Sequence, residues 1–160
     1  MTVMYESKWR DTLTLLHYYI VHEPDNWKLH TRLGNEWIER EMYGQAIDEF
    51  TKAVSLNPRW AENHLNLGRA PFTVGRYDEA RLAFTAALGQ TPDDWRGHVL
   101  LGITLARQND PESGLEELAI AARLAPQAAE VHFRIANIHA EQGRGYKGVQ
   151  EDPAPRSALP

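Results

Sequence analysis

The repeating unit of this chain is clearest between residues 27 and 60, which read WKLHTRLGNEWIEREMYGQAIDEFTKAVSLNPRW. Leu33 and Trp37 are four residues apart, the spacing that places two side chains on one face of an α-helix. A second apolar face that includes Phe50 follows. It ends before Pro58, because the residue that precedes a proline is pushed out of the helical region. The unit therefore predicts two successive helices.

Small residues predict that these two helices pack closely. Gly34 lies on the apolar face of the first helix, and Ala46 and Ala53 lie on that of the second. Glycine inside a helix costs about 0.5–1 kcal/mol relative to alanine, so its use here indicates a close helix contact that offsets the loss. We expect a short break between the two helices at residues 42–44.

Several residue types recur along the chain at an interval of 34 residues. They are Pro24, Pro58, Pro92 and Pro126; His30, His64, His98 and His132; and Gly34, Gly68 and Gly102, with Ala136 in the fourth place. A shared interval of this length indicates a repeat protein, and 160 residues are enough for three to four such units.

The pattern of a large residue, Leu-Gly, an aromatic residue, Ala, Phe and a closing Pro resembles the tetratricopeptide repeat, a helix–turn–helix unit. The resemblance implies an all-α fold: an α-solenoid of stacked antiparallel helix pairs, with three full repeats and half a repeat at each end. The expected segments are a helix like the second helix of a repeat at 1–26, repeats at 27–60, 61–94 and 95–128, the first helix of a partial fourth repeat at 129–144, and a disordered tail at 145–160. The tail is expected because glycines and prolines crowd this part of the sequence.

Pro71 departs from the family pattern, since it stands where a bulky residue is expected inside a first helix. A proline there removes one backbone hydrogen bond and clashes with the preceding turn, at roughly 3 kcal/mol in a helix interior. We therefore predict a kink, or an early end of that helix near Ala70.

Composition narrows the classes of function. The chain has 17 Lys and Arg residues against 22 Asp and Glu, which disfavours a broadly basic nucleic-acid binder, and it has no cysteine for disulfides or thiolate chemistry. The longest nearly apolar run, 15–21, is far shorter than the roughly 20 residues that a bilayer span needs. No catalytic motif is recognisable. We expect a cytoplasmic protein that is not an enzyme, has no cofactor and neither binds nucleic acid nor inserts into membranes.

The four recurring histidines suggest a metal site, but their spacing disfavours it. Equivalent positions in stacked helical pairs lie on the order of 10 Å apart, because packed helix axes are separated by about 8–10 Å, whereas zinc holds nitrogen ligands at about 2.0–2.1 Å. We expect these histidines to pack at contacts between helices and to bind no metal.

By resemblance to the family, the first helices line a concave groove that receives a partner. The candidate groove residues are Asn35, Ile38, Asn66, Arg69, Phe72, Arg96, Arg107, Phe133 and Asn137. Asparagine amides pair with an extended main chain and arginine takes carboxylates in bidentate fashion; the alternative is a merely solvated helical surface. Some family members clamp a C-terminal carboxylate with five such residues, but here Thr31 and Leu100 replace two of the cations.

The sequence thus predicts a non-enzymatic scaffold or adaptor that binds a peptide or protein in its groove. The alternative is a self-assembling or structural subunit that uses its end helices, because the apolar helix at 129–142 has no recognisable second helix to follow it. Three arrangements fit that feature: head-to-tail contact between copies, a tail that folds back, or a chain shortened from a longer array.

Overall fold

The computed structural model of the chain describes the backbone of residues 2–143 and the side chains of residues 12–143. That part of the chain contains eight α-helices and no β-strand. They are α1 (Thr2–His22), α2 (Trp27–Glu39), α3 (Tyr43–Leu56), α4 (Ala61–Thr73), α5 (Tyr77–Gln90), α6 (Trp95–Arg107), α7 (Pro111–Leu124) and α8 (Ala129–Glu141). The all-α prediction is confirmed, and the predicted tail at 145–160 lies outside the described residues.

Consecutive helices pack against one another along the whole array. Helices α2 and α3, α4 and α5, and α6 and α7 form three hairpins, and each second helix also packs on the first helix that follows it. The first helices α2 and α4, and likewise α6 and α8, touch each other. This arrangement is a solenoid, in which each unit contacts its neighbours only. Positions within a repeat are counted below from Trp27, Ala61, Trp95 and Ala129.

The predicted close contact lies at position 8 of each repeat. A Cβ atom added to Gly34 would come within 2.5 Å of the Phe50 ring, so no side chain fits there, and Gly68 lies equally close to the Phe84 ring. In the third repeat the larger partner is Leu118, which is fully buried as the two phenylalanines are. Glycine is therefore required by the approach of the second helix.

The break between α2 and α3, the two helices of the first full repeat, lies earlier in the chain than predicted. Helix α3 begins at Tyr43, so the break covers residues 40–42 rather than 42–44. The chain reverses at Glu41, whose φ angle is 60°, and the same position 15 holds Asn109 with φ of 63° and Gly75 with φ of 78°. A left-handed residue just after a helix is a common way to end it, and this geometry sets the break.

Helix α4 continues through Pro71 to Thr73 and has the same 13 residues as α2 and α6. The predicted early end near Ala70 is therefore wrong, whereas the kink stays a prediction. Pro71 lies in the last turn and its ring is fully buried, so packing compensates for the one backbone bond that proline withholds. The carbonyl of Pro71 accepts a hydrogen bond from the Arg76 amide at 2.9 Å.

The four recurring histidines tie each first helix to the end of the preceding unit. In each of them Nε2 lies within hydrogen-bond distance of the carbonyl oxygen of the proline six residues earlier. The distances are 2.9 Å for His30 and Pro24, 2.8 Å for His64 and Pro58, 2.8 Å for His98 and Pro92, and 3.1 Å for His132 and Pro126. The proline and the histidine therefore recur together because they form one contact.

Two of these histidines also contact a carboxylate on the paired second helix. His30 Nδ1 lies 2.6 Å from Glu49 Oε2, and His98 Nδ1 lies 2.6 Å from Glu117 Oε2. The other oxygen of Glu49 accepts a hydrogen bond from Lys52 at 2.7 Å. The expected position of the histidines at contacts between helices is confirmed for these two.

Glycine in place of Glu41 should stabilise the fold. The left-handed conformation costs a non-glycine residue about 1–2 kcal/mol, and the added flexibility of glycine in the unfolded chain removes part of that gain. We expect Glu41→Gly to raise the free energy of unfolding by roughly 0.5–1 kcal/mol in urea denaturation. Glu41→Ala keeps the strained backbone and serves as the control; an equal gain in both variants would contradict the backbone explanation.

The Glu49 contact should make stability depend on pH. Burial raises the pKa of Glu49, but hydrogen bonds from His30 and Lys52 outweigh it, and the pKa lies below its ordinary value of 4.5. Because this pKa is lowered on folding, the carboxylate stabilises the fold above about pH 4.5, and the contribution is lost as pH falls through the folded-state pKa.

We therefore expect Glu49→Gln to lower the free energy of unfolding at pH 7 by roughly 1–3 kcal/mol, the usual effect of removing a hydrogen bond to a charged group. The loss should shrink at pH 3, as measured by urea denaturation at both pH values. Asp48→Asn, at the exposed neighbouring carboxylate, is the control and should have little effect. A loss of equal size at both pH values would show that the Glu49 charge does not matter.

Candidate functional site

The wall of first helices is fixed by a buried polar contact between α2 and α4. The Thr31 hydroxyl donates to the Asn63 side-chain oxygen at 3.0 Å, and the Asn63 amide donates to the Ala53 carbonyl at 3.2 Å. Asn63 is completely buried, and a satisfied buried amide of this kind holds a single arrangement of its neighbours. The sequence alone does not identify Asn63 as important. Its role is visible only in the structure, where its side-chain amide bridges two first helices and the preceding second helix.

Four candidate groove residues are exposed at matching places on the first helices. Position 9 holds Asn35, Arg69 and Asn137, all exposed, and position 13 holds the exposed Arg107. Because these positions recur at the same place on parallel helices, the side chains form an interrupted row: position 9 of the third repeat carries the half-buried Ile103, and the exposed Arg107 stands four residues further on. The row carries side-chain amides, which both donate and accept hydrogen bonds, and arginine guanidinium groups, which donate several hydrogen bonds and carry a positive charge.

Two apolar candidates lie beside this row at position 12. Ile38 and Phe72 are both half-buried, and the Phe72 ring stands edge-on to Tyr77 with ring centroids 5.6 Å apart. Phe72 also packs against the central core cluster. Each therefore offers one apolar edge, while the rest of the side chain is held by the fold.

The candidate arginines differ in what already binds them. Arg96 Nε lies 3.2 Å from the Asp94 carboxylate, and that hydrogen bond together with the charge of Asp94 raises the pKa of Arg96. Arg107 lies 3.9 Å from Glu141 on α8. The Arg69 guanidinium makes no hydrogen bond or ion pair with any residue between 12 and 143. Arg69 thus has its donors free for a ligand without loss of an internal contact.

Asn66 and Phe133 are placed differently from the other candidates. Asn66 is buried with 7% of its surface exposed, so little of its amide faces the groove. Phe133 is 60% exposed, whereas Leu65 and Val99 at the same position 5 of earlier repeats are buried. A following first helix covers those two residues, and no such helix follows Phe133 in the described part of the chain. Its exposure therefore reflects the lack of a covering helix among the described residues.

The other end of the array carries a cavity of about 470 Å³ between α1 and α2. Its lining residues are Thr12, Leu15, Leu16, Tyr19, Glu23, Leu29 and Arg32. Thr12, Leu16 and Tyr19 stand 34 residues before Ala46, Phe50 and Ala53, which face the first helix of their own repeat. This cavity, called the end cavity below, is thus the place where the first helix of a preceding repeat would pack.

None of the helices in the described region is long and apolar enough to cross a membrane.

A sequence model of the tetratricopeptide repeat family matches residues 31–94, 65–126 and 99–145. These matches together cover well over half of the chain, so the chain belongs to the tetratricopeptide repeat family. The resemblance seen in the repeating residues is confirmed.

Similar proteins agree with the family and the architecture. Tetratricopeptide repeat protein 28 of Mus musculus is 25% identical over 107 residues, which are 67% of this chain and only 4% of that protein. MamA from Desulfovibrio magneticus RS-1 superposes with a TM-score of 0.79 at 20% identity, over 88% of this chain and 80% of the other. The first TPR of Spaghetti (RPAP3), bound to the HSP90 peptide SRMEEVD, gives 0.69 at 17% identity over 73% and 93%. At these identities the two structures establish the shared α-solenoid fold.

Proposed function

We propose that this chain is a non-enzymatic scaffold that binds an extended segment of a partner protein across its first helices. The observation that carries the proposal is the exposure of Asn35, Arg69 and Asn137 at position 9, where Arg69 makes no hydrogen bond or ion pair with any residue between 12 and 143. The peptide bound to the RPAP3 repeat domain supports the use of this fold for such a ligand. Action in the cytoplasm stays a prediction.

The chemistry of the row favours a partner segment with acidic side chains. Asn35 and Asn137 present amides that pair with main-chain groups of an extended peptide. Arg69 presents a planar fork that binds a carboxylate through two hydrogen bonds. Ile38 and Phe72 add apolar edges beside these polar groups, and such a mixture fixes both the position and the direction of a bound chain.

Replacement of Arg69 and Arg96 by alanine should weaken partner binding by roughly tenfold or more, because a hydrogen bond to a charged group contributes about 1.5–3 kcal/mol. Arg69→Ala alone should weaken it more than Arg96→Ala alone, since Arg96 must first leave Asp94. The measurement is calorimetric titration with a partner segment captured from the native cell extract and mapped to a peptide.

Arg81→Ala, at an exposed arginine on the second helix α5, is the matched control and should bind as the parent does. Circular dichroism checks that helicity is retained in each variant. Unchanged affinity in the Arg69→Ala/Arg96→Ala variant would refute the proposed groove.

A second candidate function is assembly of copies head to tail, and the two ends of the array favour it. The end cavity lacks the first helix of a repeat, whereas α8 is a first helix that no second helix follows within the described residues. Exposed apolar side chains gather on α1, including Tyr18, Tyr19 and Val21. If α8 of one copy packed beside α1 of the next, the two helices would complete one repeat across the contact.

The proposed contact would bring together the position-8 residue of one copy and the position-24 residue of the next. Within complete repeats, glycine at position 8 faces the large residue at position 24, as Gly34 faces Phe50. Helix α8 carries the larger Ala136 at position 8, and α1 carries Leu16, smaller than phenylalanine, at position 24. Phe133 would then enter the end cavity beside Leu29. Such a contact is heterologous and grows into rings or filaments.

Two end variants distinguish this assembly from others. Tyr19→Glu blocks one end of the chain and Phe133→Glu blocks the other, so each variant alone should be monomeric by light scattering at concentrations where the parent assembles. A mixture of the two should form dimers only, because one intact end of each remains. Leu82→Glu, at an exposed leucine away from both ends, is the control. A parent chain that stays monomeric at all concentrations would overturn the assembly.

A further inference from the structure

A second apolar groove lies between the second helices α3 and α5, above α4, with a volume of about 350 Å³. Ile47 and Val54 line it from α3, Leu67 from α4 and Leu82 from α5. Leu82 is 65% exposed. This surface, called the outer groove below, uses positions 4, 7 and 11 of α4, whereas the proposed peptide row uses positions 9 and 12.

The outer groove coincides with two departures from the repeat pattern. At position 11 the first and third repeats carry Trp37 and Leu105, and the second carries Pro71. At position 23 the first and third repeats carry glutamate, whereas the second carries Ala83. Both smaller residues line the outer groove, so the groove exists where two larger side chains are missing.

Because Ala83 replaces the glutamate at position 23, His64 lacks the carboxylate that contacts the equivalent histidines of the first and third repeats. His64 keeps the contact of Nε2 with the Pro58 carbonyl at 2.8 Å. Its Nδ1 has no hydrogen-bond partner among residues 12–143, although in His30 and His98 the same atom contacts a glutamate at 2.6 Å. His64 lines the outer groove and is half-buried, while His30 and His98 are buried.

We propose that the outer groove is a second binding site, for a protein segment that places a carboxylate at His64 Nδ1 and an aliphatic side chain between Leu67 and Leu82. The inference goes beyond the proposed function, since the site lies on another face of α4. The carboxylate of the bound segment would take the place that Glu49 has beside His30 in the first repeat. Its aliphatic side chain would take the place of the large Trp37 side chain, which the second repeat replaces with Pro71.

Charge complementarity favours a carboxylate over other polar groups. A neutral histidine ring whose Nε2 donates to a carbonyl accepts at Nδ1, whereas the protonated ring donates at both nitrogens. A carboxylate can therefore bind at Nδ1 only together with a proton on the ring, and the resulting charge-assisted hydrogen bond is stronger than one to a neutral acceptor. Among the described residues that line the outer groove only Glu79 is acidic, and Arg76 donates two hydrogen bonds of 2.6 and 2.7 Å to its carboxylate. That ion pair offsets the negative charge at the rim and leaves His64 for the incoming group.

The test uses two synthetic peptides, acetyl-Leu-Glu-Leu-amide and acetyl-Leu-Gln-Leu-amide, titrated into the full chain and followed by NMR of the backbone amides and histidine ring nitrogens. We expect saturable shifts at His64 and at the lining residues of α3 and α5. The glutamate peptide should bind about tenfold more tightly than the glutamine peptide, since hydrogen bonds to ionised groups are about twice as strong as neutral ones.

Two variants locate the site. Ala83→Glu supplies the carboxylate from the chain itself, so its His64 ring should acquire the Nδ1 signal of His30, and peptide affinity should fall at least tenfold. His64→Gln leaves the groove open but should abolish the preference for the glutamate peptide. In Arg69→Ala/Arg96→Ala the peptide-induced shifts at His64 should saturate as in the parent, even where shifts at the proposed peptide row are lost, and this site-specific readout separates the two sites.

Four results would overturn the second site. The first three are equal affinity of the parent chain for the two peptides, shifts that map to Asn35 and Arg69 in place of the outer groove, and no saturable shift at all. A folded Ala83→Glu variant that binds the glutamate peptide as tightly as the parent would do so as well.

Discussion

The close approach of the two helices in each hairpin is the contact on which the rest of the structure depends. Gly34 leaves room for the Phe50 ring, and the equivalent glycines of the next two repeats leave room for Phe84 and Leu118. Because a side chain at position 8 would push the second helix away, the contact fixes the thickness of each hairpin. Each second helix in turn packs on the first helix that follows it, and the two contacts together set the spacing of the first helices that carry Asn35 and Arg69.

The interval of 34 residues was enough to predict the helices and their stacking, because each unit buries its apolar face against the next in the same way. It was not enough at Pro71, where the cost of proline in a helix interior suggested an early end. The helix continues because Pro71 lies in the last turn and its ring is buried. Local propensity was overridden there by packing that no single repeat reveals.

The candidate groove was predictable only in part, because exposure depends on what covers a position rather than on the position itself. Arg69 and Asn137 share position 9 and are both exposed, as expected. Phe133 is exposed for another reason, since the helix that covers its counterparts Leu65 and Val99 has no equivalent among the described residues. Nor does a sequence show that Arg96 forms an ion pair with Asp94, whereas Arg69 has no such partner between residues 12 and 143.

Agreement among the repeats also gives meaning to their differences. The contact of histidine with the preceding proline is kept in all four units, so it belongs to the architecture. The glutamate partner is kept in two units and replaced by Ala83 in another, so the fold does not require it there. Where the second repeat departs from the other two, Ala83, Pro71 and His64 line one open groove, and His64 Nδ1 has no partner among residues 12–143. We infer a ligand there because the other repeats fill the equivalent positions with side chains of their own.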